Sequence, residues 1–498
     1  MTTSYAAALF GIAFISTIVA TPIAKWLGLR LGLVDNPDNY RKIHQNAIPL
    51  GGGIAVFFGF VIPIALTAKF FPESQLLPTA APEMIIMLII GGSMSMLMGL
   101  ADDIHNLKAR WKIVFQIFAA SLAYSGGFRI EAISSPFGNS IDLGFTSYLV
   151  TILWFLVCMN ALNLVDGLDG LSAGIGFIVS ITLLGVNFAA GNILGTLLNA
   201  CISGALLGFL IFNFNPASIF LGDSGSMFIG FLIAAISLLT KNKAETATAL
   251  LIPLMALGLP IFDMLLAIIR RWSRRNPISV ADRSHIHHSL LSLGFSQRET
   301  VIVLYGISIV LCLASVIMVL TRSQYSVLIL VLLALAMVIG TRVLKLINLK
   351  ELRDRVLQDH EEHRWRKSLT IEVERAIQAC AKANSIQEIW RSLSQAFESL
   401  SMNRVELRMQ GTNLEQSLTW RSRQDSGNDK PKFEGDIWHL TLELLDGNTN
   451  LGSLIFIHQG QIRKIRHTSM FADRVRGALQ ARLIELATHR IVNPTSRS

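Results

Sequence analysis

From residue 4 to about residue 345 the chain repeats one pattern: an apolar run close to the ~20 residues that cross a bilayer, then a short polar break. Inside hydrocarbon a backbone must satisfy its own hydrogen bonds, so such runs fold as helices. Eleven runs can be read, at roughly 4–26, 50–69, 84–101, 111–126, 147–162, 170–189, 193–213, 219–240, 246–270, 300–320 and 325–345. The expected fold is an all-α polytopic membrane protein with about eleven transmembrane helices. A hydrophobic share of 52% and a mean hydropathy of +0.50 argue against a soluble globular chain. The first run lacks a basic leader and a small-residue cleavage site, so it reads as a retained span. Cys158, Cys201 and Cys312 lie in apolar runs and Cys380 in the polar tail, a spacing that suggests neither disulfides nor a metal site.

Alternate loops must share a side. Those after runs 1, 3, 5, 7 and 9 hold most of the membrane half's cations, among them Lys25, Lys42, Lys112, Arg270 and Arg283. The opposite loops hold only Lys69, Arg129, Lys241, Lys243 and Arg322. The positive-inside rule makes the basic side cytoplasmic and the N-terminus external, with the C-terminal tail also in the cytoplasm. The net charge of +9 thus reads as orientation or as contacts to anionic ligands, with no nucleic acid partner.

The composition changes near residue 350. The expected organisation is a membrane domain over 1–348, a helical linker over 349–400 and a small cytoplasmic α+β module over 401–490. Period-two alternation marks strands at Arg404–Met409, Ser417–Arg421, Trp438–Leu444 and Gly452–His458, with a closing amphipathic helix at 468–489. In element order this module resembles a GAF-type sensor domain.

Five polar motifs fall in the five basic-side loops. Charged groups beside hydrocarbon are costly and usually mark function. Asp102 and Asp103 follow the third run as adjacent carboxylates, able to accept a proton or bind a divalent cation, although a solvated acidic loop would look the same. Lys108, Arg110 and Lys112 add cations suited to phosphate oxygens. Asn160, Asn163, Asp166 and Asp169 recur every three residues, which brings them near one helix face. Their oxygens suit Mg2+; interhelical hydrogen bonding would account for one Asn but not for four groups in register. Asp223 opens the eighth run among glycines, near a helix N-terminus where anions are favoured, or as a cap. His285, His287 and His288 lie in a basic loop without the Cys or HExxH partners of a zinc site, and fit donors to a diphosphate. Arg41, Lys42 and His44 precede Gly51-Gly52-Gly53, a glycine run that can cradle a phosphate.

Taken together, the pieces Val34-Asp35-Asn36-Pro37 with Arg41-Lys42 and His44, Gly99-Leu100-Ala101-Asp102-Asp103, Asn160 through Asp169-Gly170, Asn215-Pro216 with Gly222-Asp223-Ser224-Gly225-Ser226, and Asp282-Arg283-Ser284-His285-Ile286-His287-His288 resemble the polyprenyl-phosphate N-acetylhexosamine-1-phosphate transferase family, glycosyltransferase family 4. The resemblance covers residues ~30–300 in the family's order. It implies a Mg2+-dependent enzyme (Mn2+ being the alternative ion) in which undecaprenyl phosphate attacks the β-phosphorus of a UDP-N-acetylhexosamine and UMP leaves. Asp102, Asp103, His285, His287 and His288 are implied as catalytic. Lys42, Lys112, Asp166, Asp169 and Arg283 are implied to bind substrate, and Asp223 with Asn163 the metal. Further implied are the bacterial cytoplasmic membrane, an active site on its inner face and a homodimer.

Asn106, and the interrupted run His285-Ile286-His287-His288, resemble the branch that moves N-acetylglucosamine-1-phosphate for O-antigen, teichoic-acid or exopolysaccharide assembly. They speak against the phospho-N-acetylmuramoyl-pentapeptide transferases of peptidoglycan synthesis. The rival from another class is an ion-coupled transporter, which would carry its charges near mid-span and in two related halves.

Overall fold

In the computed structural model of the protein, the described residues are 2–35, 47–70, 82–134, 140–239, 251–273, 285–321, 325–344, 367, 370–399, 403–409, 417–421, 437–446, 449–459 and 465–492. The chain divides into two compact units, Met1–Leu352 and Arg353–Ser498.

The first unit is a helix bundle. Its helices are α1 (Thr2–Arg30), α2 (Gly52–Phe70), α3 (Pro82–His105), α4 (Ala109–Ser125), α5 (Ser147–Val165), α6 (Leu171–Ala189), α7 (Ile193–Asn213), α8 (Gly222–Ser237), α9 (Leu251–Ala256), α10 (Gly258–Ser273), α11 (Ile286–Ser292), α12 (Gln297–Leu320) and α13 (Ser326–Val343). Two small hairpins, β1 (Val34–Asp35) with β2 (Ile48–Pro49) and β3 (Ala132–Ser134) with β4 (Ser140–Asp142), lie in loops.

Among the described residues seven helices are long and apolar enough to cross a membrane: α1, α2, α3, α5 with the turn before it, α6, α7 and α12. Four of the eleven expected runs fall outside this set for local reasons. α4 carries Arg110 and Lys112 in 17 residues, and α8 has only 16. The run expected over 246–270 is divided at Leu257 into α9 and α10, whose last turn holds Arg270 and Arg271. The apolar stretch of α13 is also short.

α8 is the centre of the bundle, packed against α2, α3 and α5. Every one of its residues except Asp223 is buried, so protein rather than lipid surrounds it and its length need not match the bilayer. Small residues let it come close. Gly91, Ser95 and Gly99 form a stripe at four-residue spacing along α3. A Cβ on Gly99 would lie 2.4 Å from the Asp223 carbonyl oxygen, and one on Gly53 of α2 would lie 2.3 Å from the Gly225 nitrogen. Phe57 and Phe60 of α2 meet the Phe228 ring, and Phe155 of α5 meets Phe231, filling the layers between.

The second unit has a four-stranded antiparallel sheet in the order β6-β5-β8-β7, from β5 (Arg404–Met409), β6 (Ser417–Arg421), β7 (Ile437–Asp446) and β8 (Thr449–Gln459). Helices α14 (370–382), α15 (Ile386–Ser399) and α16 (Ile465–Val492) accompany it. Val373, Cys380, Leu393 and Phe397, from the stretch read as a linker, share one apolar core with Val405, Phe456 and Leu479.

Candidate active site

The loops predicted to share a side meet at one end of the bundle. They surround a cavity of about 1200 Å³ lined, among others, by Lys25, Asp35, Asp102, Asp103, Lys112, Asp166, Asp169, Asp223 and His288. Among the described residues six carboxylates line the cavity with two ammonium groups, an imbalance that favours a bound cation.

Asp102 and Asp223 share one cation, and Asp103 has partners of its own. Asp102 is buried; its Oδ1 accepts the Leu107 N–H at 2.7 Å and its Oδ2 pairs with the Lys112 ammonium. Lys112 Nζ also lies 3.1 Å from Asp223 Oδ2, so one ammonium bridges α3 and α8. Asp103 turns the other way. Its Oδ1 accepts the Asp223 N–H at 2.8 Å and its Oδ2 the Ser224 N–H at 3.2 Å, so it caps the first turn of α8. Gly222 makes this approach possible: its φ is +74°, and a Cβ there would lie 2.7 Å from Asp103 Oδ2. The Asp223 backbone is thus occupied by a protein carboxylate, and Asp223 itself caps nothing.

Asn163, expected at the metal, donates from its amide nitrogen to Asp223 Oδ1 at 2.7 Å and to Ser226 Oγ at 3.0 Å, which steadies the carboxylate. Asn160 pairs amide to amide with Gln116 of α4 and supports the bundle. Asp166 faces the cavity. Burial, and then the charges of Asp223, Asp103 and Asp169, push its carboxyl well above the usual carboxylate range. Asp169 Oδ2 accepts from Asn215 Nδ2 at 2.9 Å and from the Ala217 N–H at 3.0 Å, which fixes the loop leading into α8.

The histidines are not equivalent. His288 lines the cavity. His285 and His287 are buried and do not line it: the reach of α11 brings only its third residue to the wall. His285 Nδ1 lies 3.2 Å from Asp263 Oδ2. The His287 ring presses on Gly167, and burial followed by the neighbouring His288 lowers its pKa to about 3. The glycine run is not a phosphate cradle either, because the Gly52 and Gly53 N–H groups donate to the Phe220 and Leu221 carbonyls at 3.0 Å. Lys42 and Arg283, with Arg41, His44 and Asp282, lie outside the described residues. Two residues escaped the motif reading. Lys25 was read only as an orientation charge, and Asp263 was hidden in an apolar run, although a lone carboxylate there is itself a signal.

The donor set fits a hard divalent cation. Asp102 and Asp223 offer carboxylate oxygens close enough to share one ammonium, and the wall keeps a surplus of negative charge. Among the described residues no three His, Cys, Asp or Glu side chains converge as a ready-made metal cage. Mg2+ accepts such a site, since it is commonly bound through one or two carboxylates together with water and substrate phosphates.

Fold and site together define a multi-pass membrane protein with an acid-walled cavity built from helix ends. Residues 85–241 match the glycosyl transferase family 4. A probable undecaprenyl-phosphate N-acetylglucosaminyl 1-phosphate transferase of Bacillus subtilis is 36% identical over 342 residues, 68% of this chain and 92% of that protein. The decaprenyl-phosphate N-acetylglucosaminephosphotransferase of Mycobacterium tuberculosis is 34% identical over 318 residues, 59% of this chain and 77% of its own length. An undecaprenyl-phosphate alpha-N-acetylglucosaminyl 1-phosphate transferase of Escherichia coli is 26% identical over 296 residues, 58% and 78% respectively. The chain belongs to glycosyl transferase family 4.

Proposed function

We propose that the protein transfers N-acetylglucosamine-1-phosphate from UDP-N-acetylglucosamine to undecaprenyl phosphate, releasing UMP. The observation that carries this reading is the Asp102–Lys112–Asp223 bridge at the wall of a large acid-lined cavity. The names of the relatives support the lipid and the sugar, and they do not favour the muramoyl-pentapeptide alternative. The transporter reading loses ground because the acids gather at helix ends around one cavity.

The reaction exchanges one diphosphate for another, so the barrier comes chiefly from bringing two anions into line. Asp102 is the acid of the pair with an oxygen directed to the reacting side. Its Oδ1 is fixed by Leu107, and its Oδ2 gives up Lys112 to orient the lipid phosphate or take its proton. Asp103 serves by holding α8, and with it Asp223. Asp223 would hold Mg2+, with Asn163 keeping its carboxylate in place. The bound cation would supply neutralisation of the diphosphate charge. Lys112, released from its carboxylates, reaches a phosphate oxygen, and His288 donates to the diphosphate. Asp169 keeps Oδ1 for the uracil edge, since the loop uses only Oδ2. Lys42 and Arg283 are assigned to phosphate binding from the sequence motifs alone.

The cavity faces the cytoplasm in this reading, which follows the Lys and Arg asymmetry of the loops. The eleven apolar segments cross or enter the bacterial cytoplasmic membrane, and the second unit is a cytoplasmic GAF-like module.

The test is full-length protein in lipid nanodiscs with undecaprenyl phosphate, UDP-N-acetylglucosamine and Mg2+. Release of UMP together with a sugar-diphosphate lipid, both stopped by EDTA, is expected. UDP-N-acetylmuramoyl-pentapeptide should not substitute as donor. Failure with every UDP-N-acetylhexosamine in a folded sample would overturn the proposal.

A further inference from the structure

Asp263 belongs to none of the motifs above. It sits in the largely apolar α10, almost fully buried, where a carboxylate needs strong compensation. Among the described residues its hydrogen-bond partners lie together. Its Oδ1 accepts the Ile286 N–H at 3.1 Å and its Oδ2 faces His285 Nδ1 at 3.2 Å. The Oδ2–Nδ1 contact holds the His285 ring in one orientation. Both contacts fall at the start of α11. The His285 ring lies parallel to that of His287, with centroids 5.7 Å apart, and His287 touches His288 at 4.3 Å. His288 alone of the three lines the cavity. The other side of His287 is fixed by Gly167, where a Cβ would lie 2.8 Å from Nε2.

We infer that Asp263 is a positioning residue: it clamps the first turn of α11 through His285 and Ile286, and thereby holds His288 at the cavity wall. The inference rests on the proposed role of His288 as a phosphate contact. A partner that orients a working imidazole usually matters on the order of 10- to 100-fold. Among the described residues that line the cavity Asp263 is absent, and its hydrogen bonds go to the start of α11, so its effect on the cavity wall passes through α11.

The experiment is a double-mutant cycle on the full chain in nanodiscs, reading UMP release. Asp263→Ala is expected to lower kcat about 10- to 100-fold with little change in KM for the UDP-sugar. In a His288→Ala background the same substitution should cost almost nothing more. A loss that simply multiplies with that of His288→Ala would mean a general structural role and would overturn the inference. Should Asp263→Ala fail to insert, Asp263→Asn carries the same cycle, because its amide oxygen still accepts the Ile286 N–H and its amide nitrogen reverses the bond to His285.

A second readout needs no turnover. The rate at which diethyl pyrocarbonate modifies His288, followed peptide by peptide, should change several-fold in either Asp263 variant. The exposed His439 of the second unit should react as in wild type. Unchanged His288 reactivity overturns the positioning role whatever the enzyme turns over. A wild-type protein that releases no UMP counts against the proposed function alone.

Discussion

The Asp103 carboxylate accepts the backbone N–H of Asp223 at 2.8 Å, so one acid of the site caps the helix that carries another. Adjacent carboxylates, Asp102 and Asp103, therefore have different work. Asp103→Ala would leave the N–H groups of Asp223 and Ser224 unpaired in the first turn of α8, at a cost of about 0.5–2 kcal/mol. The thermal midpoint in detergent should fall and turnover should fall with it, because Asp223 moves. Asp103→Asn keeps one accepting oxygen and should recover part of the stability. Equal midpoints for Asp103→Ala and wild type would remove the cap assignment.

Lys112 stands between Asp102 and Asp223 where a cation is demanded. Lys112→Met keeps most of the stem and removes the charge. The metal site then loses its internal competitor while the substrate loses a phosphate contact. Turnover should drop on the order of 100-fold, as when a charge-stabilising donor is removed. The Mg2+ concentration for half-maximal rate should also decrease. A variant with wild-type kcat would show that Lys112 never meets the phosphate.

Every described residue lining the cavity precedes Leu352, and the second unit has an apolar core of its own. A chain ending at Leu352 should insert and retain UMP release. Total loss of turnover in a stably inserted truncation would mean that the tail completes the site.

Much of this site could be read from residue order, because apolar runs of fixed length force alternate loops onto one side. Asp102, Asp166, Asp169, Asp223 and His288 lie far apart in the chain yet line one cavity. What escaped depends on which way a side chain turns. Asp102 and Asp103 are neighbours in the chain, and only the closeness of α3 to α8 gives one to a backbone and the other to Lys112. Three histidines look alike in sequence, but a two-turn helix can show only part of its surface to a cavity. Gly52 and Gly53 look like a phosphate loop until their N–H groups are found paired with the carbonyls of Phe220 and Leu221 just before α8. The eleven-span reading assumed each apolar run meets lipid, whereas α8 is enclosed and α10 ends in arginines.

His287 should make the protein acid-sensitive. Burial, with His288 next, depresses its pKa to about 3, against roughly 6.5 in an unfolded chain. Between these values the unfolded chain binds the proton and the folded one does not, so stability is fully present above about pH 6.5 and declines as pH falls toward 3. His287→Asn should flatten the decline in thermal midpoint between pH 6.5 and the acid limit of the assay. An identical slope in the variant would locate the sensitivity elsewhere.

Asp166 has the opposite sign. Burial and then Asp223, Asp103 and Asp169 raise its pKa, so the folded protein keeps a proton that an unfolded Asp releases near pH ~3.9. Its contribution to stability is complete below that value and is lost as pH rises through the folded pKa. A divalent cation held by the neighbouring carboxylates would offset their repulsion and draw the Asp166 pKa down. Mg2+ should therefore bind more tightly as pH rises, release protons on binding, and raise the thermal midpoint most at alkaline pH. Calorimetry in buffers of different ionisation enthalpy measures the protons directly. Asp166→Asn should release fewer and bind Mg2+ with a weaker pH dependence. If proton release were the same in variant and wild type, the cation would not be sensed by this wall of the cavity, and the grouping of Asp166 with Asp223 around one ion would be wrong.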